Sequence, residues 1–313
     1  MKRMILAILA LLAPVGVSAQ DRIDRDLLMR DISSLAADDM AGRGTGTDGA
    51  ARARAYIERR FTEIGLQPRR TPFRYSAPLR GEMQGANVWT AIRGTEHPER
   101  VIVIGAHYDH VGVVDGRIHN GADDNASGTA ALLAVAAALQ RTPPKHTVIL
   151  VAFDAEALGL FGSRMFVQSP PVPLANMLVN INLDMVGRND QNTLWAAGPR
   201  IYPALRPHVM AAAEAAPVRL RLGLDHRPNR PGRGGEDMTM RSDQAAFGMA
   251  GIPFVFFTTG EHRDYHRPSD DAERVDPTFY SGVVTTVLDV IRRLDGDNQA
   301  LETARREGNR PRF

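Results

Sequence analysis

Four short, almost unbroken aliphatic runs constrain this chain more than any other feature: Val101 to Ile104, Val148 to Phe153, Met177 to Leu183 and Ile252 to Phe257. A strand with one face in water alternates apolar and polar residues, whereas runs this uniform belong to strands covered on both faces. Between the first two runs lies ASGTAALLAVAAALQ, an Ala/Leu-rich helical stretch stopped by Pro143 and Pro144. Strands alternating with helices predict an α/β chain: a doubly wound sheet with helices on both sides, a three-layer α/β/α sandwich. Two further helices are expected upstream, over Ile23 to Leu35 and over Ala50 to Ile64, the second closed by Gly65. No linker, composition shift or internal repeat divides the chain, so one domain is expected.

In open α/β sheets the ligand site lies beyond the carboxyl ends of the strands. Each run here leads into reactive groups: His107 and Asp109, then Asp154 and Glu156, then Asp184, then the segment containing His266. Singly, each has a plain structural role. His107 could be a hydrogen-bonded strand-end histidine. The carboxylates of GADDNASG could cap the helix that follows. Asp184, behind the apolar run of NINLDMVG, could pair with an arginine, and His266, in RDYHRPSDD, could sit in water. Together, His107, Asp124, Asp184 and His266 make a nitrogen and oxygen ligand set suited to zinc. Asp109, two residues after His107, is placed to accept the second ring N–H, as metal-bound histidines usually require.

The leader and the charge balance narrow the class. MKRMILAILALLAPVGVSA carries two cations, an apolar run from Met4 to Leu12 and small residues before Ala19. It reads as a signal peptide over residues 1–19. The apolar run falls short of the roughly 20 residues needed to span a bilayer. The expectation is therefore an exported protein, periplasmic or extracellular, with no stable membrane anchor after cleavage. Loss of Lys2 and Arg3 brings the 38 basic residues level with the 36 acidic ones, which leaves no excess charge for nucleic acid. With no cysteine, an exported fold depends on its core alone.

The ordered set H-x-D, GADDNASG, AE…GLFGS, NLDMVG, SDQ and DYHRPSD resembles the zinc aminopeptidases of metallopeptidase family twenty-eight. That family includes bacterial leucyl aminopeptidases, glutamate carboxypeptidases and glutaminyl cyclases. The resemblance covers roughly residues 30 to 290 and implies a zinc-exopeptidase-like fold around a mostly parallel mixed sheet. The domain would then span 20–300, with a polar tail over 301–313. It further implies two zinc ions bridged by Asp124, one also held by His107 and Asp184, the other by His266 and the second residue of a Glu-Glu pair. The first Glu of that pair is the general base. The implied reaction is hydrolysis of N-terminal residues from peptides by a metal-bound water, with Glu156 moving the proton.

Here the pair reads Glu156-Ala157. Alanine cannot coordinate, and a catalytic zinc normally has three protein ligands, so the second site is expected to be weakened. The resulting hydrolase would be mononuclear or completed by another ligand. Asp154 and Glu261 are candidates, although a solvated surface role is the simpler reading of each. Two other readings stay open: a non-catalytic relative that binds peptides or metal, and a glutaminyl cyclase. Ser242 and Asp243 are expected in the wall near the site, residues 225–237 in a mobile loop, and ARREGNRPRF in a frayed end.

Overall fold

The computed structural model describes residues 22–77, 81–225 and 237–308. The expected signal peptide, residues 226–236 of the expected loop, and residues 309–313 lie outside the described residues. Helix α1 (Arg25–Leu35) starts where Asp24 accepts the Leu27 amide, and it buries Leu28, Ile32 and Leu35 along one stripe. Thr47 likewise caps α2 (Asp48–Glu63), whose Ala53, Ile57 and Phe61 face inward. A hairpin of β1 (Arg69–Ala77) and β2 (Gly81–Ile92) leads to β3 (His97–His107) and to a small ribbon of β4 (Gly112–Val114) and β5 (Arg117–His119). Next come α3 (Gly128–Arg141), β6 (His146–Phe153), α4 (Phe161–Gln168), β7 (Met177–Leu183), β8 (Thr193–Ala197), α5 (Arg206–Ala215) and β9 (Arg219–Leu222). The chain then forms α6 (Gln244–Met249), β10 (Phe254–Thr258), α7 (Pro277–Asp295) and α8 (Asn298–Gly308).

Among the described residues, eight strands form one sheet in the order β1-β2-β6-β3-β7-β10-β8-β9. The central strands β6, β3, β7 and β10 run parallel, while β2 and β8 join them antiparallel. The four aliphatic runs are these central strands, and their uniformity has the expected cause. Ile102, Ile104, Val148 and Leu150 enter the large core with residues of α1, α2, α3 and α7, while Val101, Val103, Ile149 and Val151 pack with Phe166 and Phe247 on the opposite face. Full burial of each such side chain contributes about 1.5–3 kcal/mol, so the two covered faces define the sheet. No helix among the described residues is long and apolar enough to cross a membrane.

The expected tail departs from the structure. Residues 298–308 form α8, which buries Leu301 and Ala304. It is tied down by Arg305 Nη1 donating to the Gly251 carbonyl at 2.7 Å and by a 2.6 Å contact between Arg100 and Glu302. Two apolar positions three apart anchor an otherwise polar helix, a signal too sparse to stand out in the sequence.

Candidate metal centre

Because β3, β6, β7 and β10 are parallel, the groups that follow them emerge at one end of the sheet. Register brings them level: His107 lies beside Phe153, the residue before Asp154, and Phe257 beside Leu183, the residue before Asp184. The chain then turns sharply. Ala155, Leu160, Met185 and His266 hold φ between 55° and 61°, a left-handed conformation that non-glycine residues adopt rarely.

The structure draws the candidate residues into two adjoining groups. In one, His107 Nε2 lies 3.4 Å from Asp184 Oδ1 and 3.8 Å from Glu156 Oε2. In the other, His266 Nε2 lies 2.9 Å from Asp124 Oδ2, and His110 Nδ1 lies 3.4 Å from the same oxygen. Asp124 joins the two, since its Oδ1 is 3.4 Å from His107 Nε2. Within each group the nearest donor atoms lie within 4.8 Å of one another. His107 Nε2, Asp184 Oδ1 and both nitrogens of His110 are buried without a hydrogen-bond partner. Buried polar atoms are normally satisfied. Convergent nitrogen and oxygen donors left unpaired fit a cation such as zinc.

His110 was not among the sequence-derived candidates. The apolar residues after it hid its role, because nothing in the linear pattern HYDHVG separates a second site histidine from one that fills the core. Neither of the two ligands considered in place of the missing carboxylate joins the two groups. Asp154 is buried rather than solvated, accepting from Tyr108 Oη at 2.6 Å, the Ala86 amide at 2.9 Å and Thr45 Oγ1 at 2.9 Å. Glu261 pairs with Arg241 at 2.6 Å in a partly exposed position.

Neighbouring side chains fix the geometry. Asp124 carries no capping bond: Asn125 accepts the Gly128 and Met185 amides, and donates to the Leu183 carbonyl, clamping this segment to the end of β7. Asp123 accepts the Gly187 amide, and Asp270 accepts the amides of Asp123 and Asp124. Asp109 supports His107 in a different way from that expected. His107 Nδ1 meets the Asp109 backbone carbonyl at 3.1 Å, with the carboxylate 3.7 Å away. The carboxylate instead accepts the amides of Glu156 and Ala157 at 3.0 and 3.2 Å, holding the turn that carries Glu156. Arg43, fully buried, donates to the carbonyls of Leu35, Tyr108, Asn120 and Gly121 at 2.6–2.7 Å. It thereby ties the end of β3 to the loop leading into Asp124.

Electrostatics follow from crowding. Burial, with Asp184, Asp243 and Asp109 nearby, pushes the Glu156 carboxyl well above its usual range despite the opposing pull of His107. Burial also disfavours charge on His107, but Glu156 and Asp184 outweigh it and raise the imidazole. His110 is driven down to about 3 by burial, with Arg43 and the other histidines adding to the effect against Asp124. Burial would raise Asp124, yet His110, His266 and His107 hold it well below the usual carboxylate range. Asp243 is buried but, like Ser242, does not line the cleft of the site; burial, with Asp109 and Asp184 adding to it against the pull of His107, raises it to about 7, while Ser242 accepts from Asn182 at 3.0 Å.

Asp124, Glu156, Asp184 and His266 open into a cleft of about 270 Å³, walled also by Ala157, Leu160, Met185, Met240, Phe256 and Tyr265. A larger hollow of about 610 Å³, near Trp89 and Gln140, holds none of these groups. Volume alone would select the wrong site.

The sequence profile of Peptidase family M28 matches residues 87–291. Aminopeptidase YwaD of Bacillus subtilis (strain 168) is 30% identical over 194 residues, covering 58% of this chain and 38% of that protein. The chain spans still smaller shares of other matched curated relatives. An aminopeptidase from Aneurinibacillus sp. strain AM-1 superposes with a TM-score of 0.72 at 17% identity, covering 87% of this chain and 94% of that one. The zinc aminopeptidase of Bacillus subtilis superposes with a TM-score of 0.71 at 17% identity, covering 86% and 95%. At such identities these likenesses speak for the fold.

Proposed function

This chain belongs to peptidase family M28, and from that premise we propose that it is an exported zinc-dependent aminopeptidase with Glu156 as its general base. The observation that carries the reading is Asp124, which turns one carboxylate oxygen toward His107 and the other toward His110 and His266, with Glu156 at the edge of the same cleft. His107, Asp124 and Asp184 would hold one ion, and His266 with Asp124 would contribute to a second. Zinc, when bound, lowers the pKa of water to about 7 and polarises a carbonyl. Glu156 accepts the proton of the attacking water and passes it to the leaving amine. Its buried carboxylate would cost free energy in a module that only bound peptides, which favours a catalytic role. The aminopeptidase reading, over a carboxypeptidase, follows the named aminopeptidases among the relatives and superposed structures.

Hydrolysis of aminoacyl p-nitroanilides by the zinc-loaded protein, beside their N-acetylated counterparts, tests the reading. Glu156→Gln should lower kcat by about 10²–10⁴ while zinc content is unchanged. Full turnover in that variant would remove Glu156 from the mechanism, and equal cleavage of acetylated substrates would rule out an aminopeptidase. Fractionation of expressing cells tests export.

A further inference from the structure

We propose that His110 completes the second metal site, taking the place of the carboxylate that Ala157 lacks. The inference rests on the metallopeptidase reading for the nature of the ion and extends it to a ligand that the motif order did not supply. His110 is buried, and its Nδ1 faces the same Asp124 oxygen that His266 contacts. Neither of its ring nitrogens has a hydrogen-bond partner, an unusual condition for a buried imidazole, and a cation beside Asp124 would satisfy Nδ1. The ring is also held in place. Gly121 sits at φ 55°, and a Cβ there would lie 2.4 Å from His110 Cδ2 and 2.5 Å from Cγ, so the loop before Asp124 passes directly against the imidazole. No larger residue leaves that room.

The ligand count changes accordingly. Without His110 the second ion has Asp124 and His266 and falls short of the three protein ligands of a normal catalytic zinc site. With it, both ions have three: His107, Asp124 and Asp184 for one, His110, Asp124 and His266 for the other. The sequence-based expectation of a weakened second site is then replaced by a second site rebuilt from the other side. Ala157 lines the cleft with a methyl group, which cannot coordinate. Two imidazoles and a shared carboxylate also favour zinc or cobalt over manganese or magnesium.

The test counts ions. Chelator-stripped protein is titrated with Zn²⁺ against a chromophoric competitor, and with Co²⁺ while the visible d–d bands are followed. Wild type should take up two equivalents. His110→Ala should keep one and bind the second at least about 100-fold more weakly, beyond the effect of losing a supporting contact. Adding Ala157→Glu to His110→Ala should restore the second equivalent. One equivalent in wild type, or two of unchanged affinity in His110→Ala, would overturn the proposal. Far-UV spectra and melts of the stripped proteins check folding. Should His110→Ala not fold, imidazole ¹⁵N shifts in wild type decide: the His110 signal must move with one of the two equivalents, and a signal that stays fixed refutes the assignment. The count does not depend on turnover. Two His110-dependent ions without hydrolysis would refute the peptidase reading alone, whereas hydrolysis with a His110-independent count would refute this inference alone.

Discussion

Replacing Arg43 with methionine offers the sharpest test of how this site is held, because the guanidinium touches no candidate ligand. Its donors meet four backbone carbonyls, of Leu35, Tyr108, Asn120 and Gly121, at 2.6–2.7 Å. Hydrogen bonds to a charged group contribute about 1.5–3 kcal/mol each, so the gross loss is about 6–12 kcal/mol. Against this stands the cost of burying the cation. Burial, only partly offset by Asp124, Asp270 and Asp109, holds the Arg43 pKa down to about 10 from 12.5. That corresponds to roughly 3 kcal/mol against the charged form, which methionine would relieve. The balance is a loss of about 3–9 kcal/mol. Water reaching the freed carbonyls should keep the result near the lower end, in line with the ~3–5 kcal/mol found on breaking buried charged contacts. Urea denaturation of the stripped protein, with an unchanged m-value, measures it. Arg43→Lys keeps the charge but has three donors and no planar fork, so it should recover only part of the loss. A loss below about 1 kcal/mol for Arg43→Met would refute the view that this one side chain pins the loop before Asp124.

Other outcomes follow from the same contacts. His146 and Asp295 form a 3.0 Å pair joining the start of β6 to the end of α7. Burial opposes charge on both, but hydrogen bonding, chiefly between the two, raises the histidine above 6.5 and lowers the aspartate below 3.8. The raised histidine stabilises fully below its unfolded pKa and loses that contribution as pH rises through its folded value. The lowered aspartate stabilises above its unfolded pKa and loses that contribution as pH falls through its folded value. The stability difference between wild type and His146→Gln, from urea melts across pH, should therefore be largest between about 4 and 6.5 and shrink on both sides. Gly128→Ala, which in an ordinary helix would stabilise by about 1 kcal/mol, should destabilise here. Its Cβ would lie 2.3 Å from both Asn125 Oδ1 and the Leu183 carbonyl, so thermal melts should show a lower Tm and zinc titration a weaker ion. Leu301→Ala should cost about 2–5 kcal/mol in denaturant if α8 is part of the domain; a neutral effect would return that segment to the status of a tail.

The sequence disclosed those parts of the fold and site that depend on composition within a few residues. Strands buried on both faces must be aliphatic throughout, so β3, β6, β7 and β10 were visible, as were the acids and histidines at their ends. The β1–β2 hairpin and the β8–β9 pair were not, because strands toward the sheet's margins carry arginine, glycine and proline, as β1 does at Arg69, Pro72 and Arg74. The same division runs through the site. His107, Asp124, Glu156, Asp184 and His266 were legible because strand ends and motif order point to them. His110 and Arg43 were not, since each acts through contacts distant in sequence: His110 with His266, Arg43 with a loop some 77 residues away. Ala157 shows why that distinction matters. Read along the chain, one substitution removes a ligand. In space, the Asp124 oxygen that meets His266 also has the buried imidazole of His110 beside it, so on the proposal made above a loss on one strand end is met from another without leaving a trace in the motif where the loss occurred.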